Sequence, residues 1–375
     1  MNRSGLRTLI TRSLRSQGFR VSREQIRLPK NLDKQKLRGL NELAVKHRVS
    51  RSERGLRRHE DALLKRLACG SEVAPSKIAP RLVEVRPGTD DELLFRYASL
   101  HWSIPVSSGY GRRLRFLVLD DQNGKLIGLF GLSDPVFNLA GRDAWIGWNS
   151  SARINRLQYV MDAFILGAVP PYSYLLCGKL IAMMVACNEV RAAFARKYGE
   201  RRSIIRGKRL DGRLALVTTI SAFGRSSIYN RVSFHGRLLF RKAGFTRGSG
   251  EFHFSNGLYS SISGYARRYC EPTAKKEPWG RGFRNRREVV KKCLAKIGIS
   301  TEWIYHGIQR EIFVVPSASN SREFLRGEHS RLRWFDHPSS ELSAFFRDRW
   351  LIPRSLWDFR YRAWDPEQWR LWNRA

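Results

Sequence analysis

The side chains best suited to chemistry begin with the stretch Arg142-Asp143-Ala144-Trp145-Ile146-Gly147-Trp148. An arginine can hold a phosphate, and the indoles of Trp145 and Trp148 can stack on bases. If this stretch is a strand, Arg142 and Asp143 lie at its N-terminal end and the two indoles point to opposite faces of the sheet. The alternative is a structural Arg142–Asp143 pair beside core tryptophans, because tryptophan is often largely buried.

A second polar stretch follows a predicted strand, Leu214 to Ile220. Loops after strand ends are frequent ligand sites in open sheets. Its guanidinium, hydroxyl and amide groups are predicted to bind phosphate, and they belong to Arg225, Ser226, Ser227, Asn230 and Arg231. Tyr229 is the candidate catalytic residue, as a general acid. For the two serines, capping of a helix is the alternative role.

The charge balance indicates the partner of these groups. The 375 residues include 69 Lys and Arg against 33 Asp and Glu, a net charge of +36. Charge of this size favours a polyanion, and nucleic acid is the commonest one. A solvated basic face, or an adaptor that binds acidic proteins, is the alternative. Residues 1–70 are denser than average, with 19 basic and 6 acidic side chains, and they read as helical.

A second basic cluster lies between residues 275 and 292, with Trp279 and Phe283 interleaved. Cations that neutralise phosphates beside rings that stack on unpaired bases are typical of nucleic-acid binding. The cluster residues predicted to contact nucleic acid are Lys275, Lys276, Arg284, Arg286 and Arg287.

Several classes are not supported by the sequence. Five cysteines without a C-x-x-C spacing, and no H-E-x-x-H, argue against a disulfide framework or a metal site. His253 is predicted to be structural, in a strand. The longest apolar run, Leu175 to Cys187, is too short for a membrane span, and no secretory signal is visible. We therefore predict a cytoplasmic protein without a metal or bound cofactor. The absence of a G-x-x-x-x-G-K-[ST] loop leaves ATP hydrolysis to a partner.

The elements predicted around these residues give an α+β fold with a mixed central sheet and flanking helices. A hairpin joins Leu114–Leu119 to Lys125–Leu132, a helix runs from Tyr174 to Tyr198, and Glu311–Val315 is a strand. Gly70, Pro75 and Pro80 suggest a linker or an irregular join. The predicted regions are a basic helical part (1–85), an α/β core (86–265) and a basic, Trp-rich C-terminal extension (266–375).

The order of elements over residues 86–265 resembles the acyl-CoA N-acyltransferase (GNAT-like) fold. Phe240 to Phe245 is similar to the end of that family's late helix, and the resemblance implies that Tyr229 protonates a departing thiolate. Where that family has a glycine-rich pyrophosphate loop, Val169 to Gly178 keeps only Gly178 of the pattern. The resemblance implies, as an alternative function, an acyltransferase or base-modifying enzyme acting on DNA or a protein.

A closer resemblance is to the Druantia DruA family. It is carried by the stretch from Arg142 to Trp148, by Ser221 to Asn230, and by Arg310-Glu311-Ile312-Phe313-Val314-Val315-Pro316. It spans roughly residues 50–330. It implies a cytoplasmic component of a bacterial multi-protein antiphage defence system, whose partners are other Druantia proteins, including a helicase-like one. The resemblance brings no settled reaction, so whether the chain is an enzyme stays open.

Overall fold

The structure, a computed structural model, describes residues 1–29, 32–104, 106, 111–202, 207, 209–273, 282–283 and 285–373. The chain divides into two compact units. Unit 1 comprises Met1–Glu53, Trp102–Pro105 and Thr246–Arg310, and unit 2 comprises Arg54–His101, Val106–Phe245 and Glu311–Ala375.

The helices and strands are numbered along the chain. The helices are α1 (Arg3–Ser16), α2 (Lys34–Leu56), α3 (Glu60–Leu64), α4 (Asp90–Ala98), α5 (Ala140–Ile146), α6 (Ser150–Arg156), α7 (Cys177–Met184), α8 (Asn188–Tyr198), α9 (Leu258–Tyr269), α10 (Arg286–Lys296), α11 (Ser321–Arg326), α12 (Ser339–Phe346) and α13 (Ile352–Ser355). The strands are β1 (Arg20–Val21), β2 (Ile26–Arg27), β3 (Pro80–Glu84), β4 (Arg113–Asp120), β5 (Lys125–Ser133), β6 (Val160–Ala168), β7 (Leu216–Ile220), β8 (Ser233–Phe234), β9 (Arg237–Leu238), β10 (Arg241–Phe245) and β11 (Glu311–Pro316).

Unit 2 is built on a seven-stranded sheet in the order β10-β11-β7-β6-β5-β4-β3. All neighbours are antiparallel except β6 and β7, which are parallel. The predicted α+β class with a mixed sheet is therefore confirmed. The predicted hairpin is also present as β4 and β5, and Gly124 in its turn has a φ of 72°.

Helices cover both faces of this sheet. One face packs on α7, α8 and α12 through a large apolar core that includes Phe130, Met183 and Phe346. The other face meets α5 and α11 in a smaller core around Ile146 and Phe324. Helix α5 contains most of the first predicted site stretch, Arg142 to Trp148.

The predicted helix from Tyr174 to Tyr198 is wrong in its continuity. It is two α-helices, α7 and α8, preceded by a 3₁₀ turn at Tyr172–Leu175. Cys187 has extended backbone angles (φ −73°, ψ 160°) and forms the N-cap of α8, so the apolar periodicity continues across a break in the backbone. Periodicity alone does not report such a break.

Two other local predictions were also wrong. Phe240 to Phe245 is mostly strand β10 rather than a helix end, since Arg241–Phe245 pairs with β11, with a bulge at Gly244 (φ 115°). His253 lies in a 3₁₀ turn, Phe252–Phe254, rather than in a strand. The stretch from Gly70 to Pro80 is the irregular join considered beside a linker, with 3₁₀ turns at Gly70–Glu72 and Pro75–Lys77 before β3.

Unit 1 is mainly helical, with α1, α9 and α10 around one apolar core and a short β1–β2 hairpin. Its third chain segment, Thr246–Arg310, lies between β10, which ends at Phe245, and β11, which begins at Glu311. This segment is thus an insertion between the last two strands of the sheet. The boundaries suggested by the sequence, after residues 85 and 265, do not coincide with this division, and the three-region assignment stays a prediction.

No helix in the described ranges is both long and apolar enough to cross a membrane.

Candidate nucleic-acid interface

The positive charge is concentrated in unit 1. Its 122 residues carry 27 Lys and Arg against 9 Asp and Glu, a net of +18. Unit 2 has the same net charge, 42 against 24, spread over 253 residues. Two basic stretches were singled out in the sequence, residues 1–70 and the cluster between 275 and 292. Unit 1 contains residues 1–53 of the first and the whole of the second, whereas residues 54–70 belong to unit 2. Electrostatics favour unit 1 as the surface that meets a polyanion.

Helix α1 carries an acid-free cationic face. Leu6, Ile10 and Leu14 are fully buried on one side of the helix, which fixes the opposite side toward solvent. A solvent-open groove runs along that side, lined by Ser4, Arg7, Thr8, Thr11, Arg12, Arg15 and Ser16. These residues recur three and four apart, as one helix face requires. Guanidinium and hydroxyl groups are the side chains that most often contact phosphate oxygens.

The α1 arginines have no competing carboxylate. Arg7, Arg12 and Arg15 are exposed, and α1 contains no Asp or Glu. Across the part of the chain that the structure describes, none of these three pairs with an acidic side chain. Asn2 caps the helix by accepting the Gly5 N–H at 2.8 Å, so the first turn is formed without an acidic residue. This face was not singled out by motif; only the charge density of residues 1–70 pointed to it.

Two of the predicted contacts in the second basic cluster lie near the start of α10. The Arg286 guanidinium stacks on Tyr259 at 3.8 Å, and its Nε lies 3.6 Å from Glu251 Oε2. Arg287 Nη1 donates to Ser249 Oγ at 3.1 Å. Arg286 stays half exposed and can still reach a phosphate. The predicted residues Lys275, Lys276 and Arg284 lie outside the described residues.

Arg142 does not reach solvent. Its side chain is fully buried, its Nε donates to Asp143 Oδ1 at 2.8 Å, and its Nη atoms donate to the carbonyl oxygens of Val136 and Phe137. The predicted strand here is α5, which ends where Gly147 turns left-handed (φ 77°). The geometry leaves no donor of Arg142 for a phosphate, so the nucleic-acid contact predicted for it is corrected to a structural role.

The two tryptophans beside it are partly buried. Trp148 Nε1 donates to Asp143 Oδ1 at 3.2 Å, so this indole belongs to the same buried pair. Trp145 lies under the Arg322 guanidinium of α11, with 5.2 Å from Cζ to the ring centroid. Stacking on a base stays a prediction for both, and Trp145 retains an exposed neighbouring cation that Trp148 lacks.

The loop after β7 is organised by Glu311, a residue whose role the sequence reasoning missed. Glu311 Oε2 accepts from the Ser226 N–H at 2.8 Å and from Asn230 Nδ2 at 3.3 Å, while Lys242 Nζ lies 3.1 Å from Oε1. Ser226 Oγ accepts the Tyr229 N–H at 3.1 Å, but the 3₁₀ turn Tyr229–Arg231 has Ile228 at its N-cap, so neither serine occupies the cap position considered as the alternative. Arg225, Ser227 and Arg231 are exposed at the loop surface.

Tyr229 is packed rather than free. Its ring stacks on Phe240 at 4.8 Å and meets Phe313 edge-on at 5.2 Å. Burial raises its pKa to about 12, which keeps the phenol protonated at neutral pH. A proton is therefore present, and the phenol has Thr219 as a hydrogen-bond partner. Its catalytic role stays a prediction.

Among the described residues, no three His, Cys, Asp or Glu side chains come together in a group that could hold a metal ion.

These features define a strongly basic α+β protein with a seven-stranded mixed sheet and an inserted helical unit. Comparison with known sequences then gives the family. The family model described as Druantia protein DruA matches residues 31–327. A curated Druantia protein DruA from Escherichia coli (strain UMEA 4076-1) is 39% identical over 363 residues, which are 96% of this chain and 89% of that protein. No solved structure matches the chain.

The chain therefore belongs to the Druantia DruA family, a component of Druantia antiphage defence. The family match includes every strand of the central sheet and both α9 and α10, whereas α1 and the residues after 327 lie outside it.

Proposed function

We propose that this chain is the nucleic-acid-binding component of a Druantia antiphage defence system, acts in the bacterial cytoplasm, and binds through unit 1. The observation that supports it is the acid-free arginine face of α1 in a unit of net charge +18. Charge this dense repels itself, and neutralisation by phosphates with release of counterions offsets that repulsion.

The chemistry of this face suits the phosphate backbone rather than base edges. Arginine pairs with phosphate through two parallel N–H donors, and the Ser and Thr hydroxyls of α1 add single donors. None of these groups need distinguish one base from another. Binding is therefore sequence-independent, and the substrate is phage or host DNA. The family belongs to a multi-protein system, and a helicase-like partner would supply the ATP-driven step that this sequence lacks a loop for.

A salt series tests the proposal. The full chain and the variant Arg7→Gln/Arg12→Gln/Arg15→Gln are titrated into labelled random-sequence DNA between about 50 and 200 mM salt, with affinity read by fluorescence anisotropy. We expect a steep fall of log K with log salt for the parent. In the variant the slope shrinks by about three, roughly one per lost phosphate contact.

A matched control removes the same charge elsewhere. Arg81, Arg196 and Arg347 of unit 2 are exposed but already pair with Asp121, Glu84 and Asp348. The variant Arg81→Gln/Arg196→Gln/Arg347→Gln has the same net charge as the α1 variant and is expected to keep the parent slope. Equal slopes for the two variants would show that net charge, and not the α1 face, governs binding. A parent with no salt dependence would remove the proposal.

A second candidate function is an acyltransferase-like or base-modifying reaction in unit 2. The order of elements supports it: hairpin β4–β5, strand β6, helix α7, strand β7 and a final antiparallel pair, β10 and β11. The protonated phenol of Tyr229 is a possible proton donor. GNAT-like catalysis is thus a proposal that rests on topology and on one tyrosine.

The residues before α7 do not fit the pyrophosphate of acyl-CoA. Leu175 is fully buried, and Leu176, with a φ of 62°, is the N-cap of α7 where a phosphate-binding loop has glycines. We derive no step through that cofactor. Thermal melting with acyl-CoA at concentrations far above a typical Kd tests this candidate, because a ligand that binds the folded state raises Tm. Unchanged melting would count against it and leave the nucleic-acid proposal untouched.

A further inference from the structure

An exposed aromatic segment lies near the C-terminal end of unit 2. Leu356, Trp357 and Phe359 are 73%, 64% and 49% exposed, which is unusual for three large apolar side chains within four residues. Between them Asp358 is buried, with 5% of its surface accessible. The segment thus turns its acid inward and its rings outward.

Trp357 is held in place by a stacked arginine. The Arg354 guanidinium lies 3.9 Å from the centroid of the Trp357 ring. Arg354 Nε donates to the Tyr174 carbonyl at 3.1 Å, and its Nη2 pairs with Asp358. One ring face is therefore covered by a fixed cation while most of the indole remains open. A stacked guanidinium orders the indole before any partner arrives, which lowers the entropy cost of binding.

The three tryptophans that follow Trp357 in the chain do not share this exposure. Trp364 and Trp372 are buried at 6% and 8%, and Trp369 stacks on His101 at 3.9 Å. Trp334, earlier in the C-terminal extension, is 43% exposed, less than Trp357.

The surroundings of the rings are cationic. Residues 347–362 contain five arginines against two aspartates. Asp358 is shared by Arg354 and Arg360, whose Nη2 lies 2.6 Å from Oδ2, and the hydrogen bond from Arg360 lowers the pKa of Asp358 to about 2. Arg362 lies over Phe359 at 4.7 Å and pairs with no carboxylate among the described residues. Rings alternating with arginines complement a polyanion that carries aromatic groups.

We infer that Trp357 is a stacking platform for an unpaired base, and that the segment from Arg354 to Arg362 binds single-stranded nucleic acid. This rests on the proposed function and names its substrate class. Bases in a duplex stack on one another and hide their faces, whereas a single strand offers each base to a ring. The neighbouring arginines contact the phosphates on either side.

The test compares two strands and three variants of the full chain. Affinities for a labelled single strand and for the duplex of the same sequence are measured for the parent, Trp357→Ala, Trp357→Phe and Leu356→Ala. We expect Trp357→Ala to weaken single-strand binding by about 5- to 150-fold, the range of stacking losses, and to leave duplex binding unchanged. Trp357→Phe retains most of the affinity because it keeps a flat ring.

Leu356→Ala is the matched control. This side chain is the more exposed neighbour and has no π face, so its loss leaves base stacking intact. An equal effect of Leu356→Ala and Trp357→Ala would indicate an apolar protein partner and overturn the inference. Equal weakening of single-strand and duplex binding by Trp357→Ala would also overturn it. A change in the oligomeric state of Trp357→Ala relative to the parent, measured by light scattering, would overturn it as well.

Failure of the inference is separable from failure of the proposed function. Suppose that Trp357→Ala binds single strands as tightly as the parent while the α1 variant still shows a smaller salt slope. In that case Trp357 is not a stacking platform, and unit 1 remains the binding surface. If the parent binds neither strand form, both are wrong.

Discussion

Glu311 Oε2 accepts the Ser226 N–H at 2.8 Å, and this bond joins the first residue of β11 to the loop that follows β7. The carboxylate is only 2% exposed. Burial acts to raise its pKa, but the hydrogen bonds from Ser226, Lys242 and Asn230 outweigh it, and the pKa of Glu311 lies below its usual value. Two stretches that the sequence presented separately are thus one structural feature.

We expect Glu311→Gln to lower the free energy of unfolding at neutral pH by about 1.5–3 kcal/mol, the usual value of hydrogen bonds to a charged group. Because the folded pKa is below the unfolded one, this stabilisation is present above the unfolded pKa and is lost as pH falls through the folded pKa. The gap between parent and variant, measured by urea unfolding, closes in acid. A gap of constant size from neutral pH into acid would contradict the charge-based account.

Arg142→Met tests the structural role of the buried arginine. It leaves Asp143, 15% exposed, with three weaker partners: the Leu139 N–H at 3.1 Å, the Trp148 indole at 3.2 Å and Arg153 Nη1 at 3.4 Å. Breaking a buried pair from one side costs about 3–5 kcal/mol, and the partial exposure of Asp143 favours the lower end. Urea unfolding measures the loss. The salt slope of DNA binding is expected to equal that of the parent, and a reduced slope in folded protein would return Arg142 to the binding surface.

Unit 1 is expected to lose stability in mild acid. His253 and His306 are 0% and 3% exposed, and burial lowers their pKa values to about 4 and about 3. His253 Nε2 lies 2.9 Å from the Trp303 carbonyl, and His306 Nδ1 accepts the Ile308 N–H, so both rings are held neutral. A lowered folded pKa means that the stabilisation is full above the unfolded pKa near 6.5 and declines below it.

Hydrogen exchange by mass spectrometry measures this decline. Between pH 6.5 and 5 the loss is at most about 2 kcal/mol per histidine. Peptides from residues 246–273, which contain His253, are expected to lose protection as the pH falls, after correction for the intrinsic exchange rate. His253→Gln removes one titrating ring and flattens the dependence, whereas the exposed His329→Gln of unit 2 leaves it unchanged. If His253→Gln and His329→Gln showed the same pH dependence of protection, the acid sensitivity of unit 1 would not come from His253.

The parts of the fold predicted from sequence are those set by neighbouring residues. The β4–β5 hairpin follows from apolar strands around Asn123-Gly124, and β11 follows from the β-branched run before Pro316. The strand predicted within residues 142–148 was wrong. Trp and Ile favour strands, but the left-handed Gly147 ends a helix here, and the contacts of Arg142 stabilise α5. Unit 1 could not be foreseen, since its three segments are far apart in the sequence and come together only by tertiary packing.

The candidate site was also predictable only in part. Charge density pointed to the first residues of the chain. The arginine face of α1 could be identified only from the structure, in which Leu6, Ile10 and Leu14 are buried and the opposite side of the helix faces solvent. Glu311 was seen as part of a strand. Its partners lie more than 60 residues away in sequence, beyond the reach of any local pattern.

Gly70→Ala tests how the C-terminal tail is attached within unit 2. A Cβ at Gly70 would lie 2.1 Å from the Tyr361 carbonyl oxygen and 2.5 Å from that of Arg362, distances that backbone cannot relieve cheaply. The Gly70 N–H also donates to the Trp364 carbonyl at 2.8 Å. We therefore expect the variant to displace the tail, to melt at lower temperature, and to be cut by trypsin after Arg360 and Arg362 faster than the parent.

Gly39→Ala is the matched control for this change. Gly39 lies inside α2, and a Cβ there would meet nothing within 4 Å, so the substitution is expected to stabilise by about 0.5–1 kcal/mol through helix propensity. Opposite signs for the two variants would show that the close approach at Gly70, and not the loss of a glycine as such, holds the tail. If the tail of Gly70→Ala resists trypsin as well as that of the parent, other contacts hold residues 361–364 in place. The stacking of Trp369 on His101 is then the next contact to test by mutation.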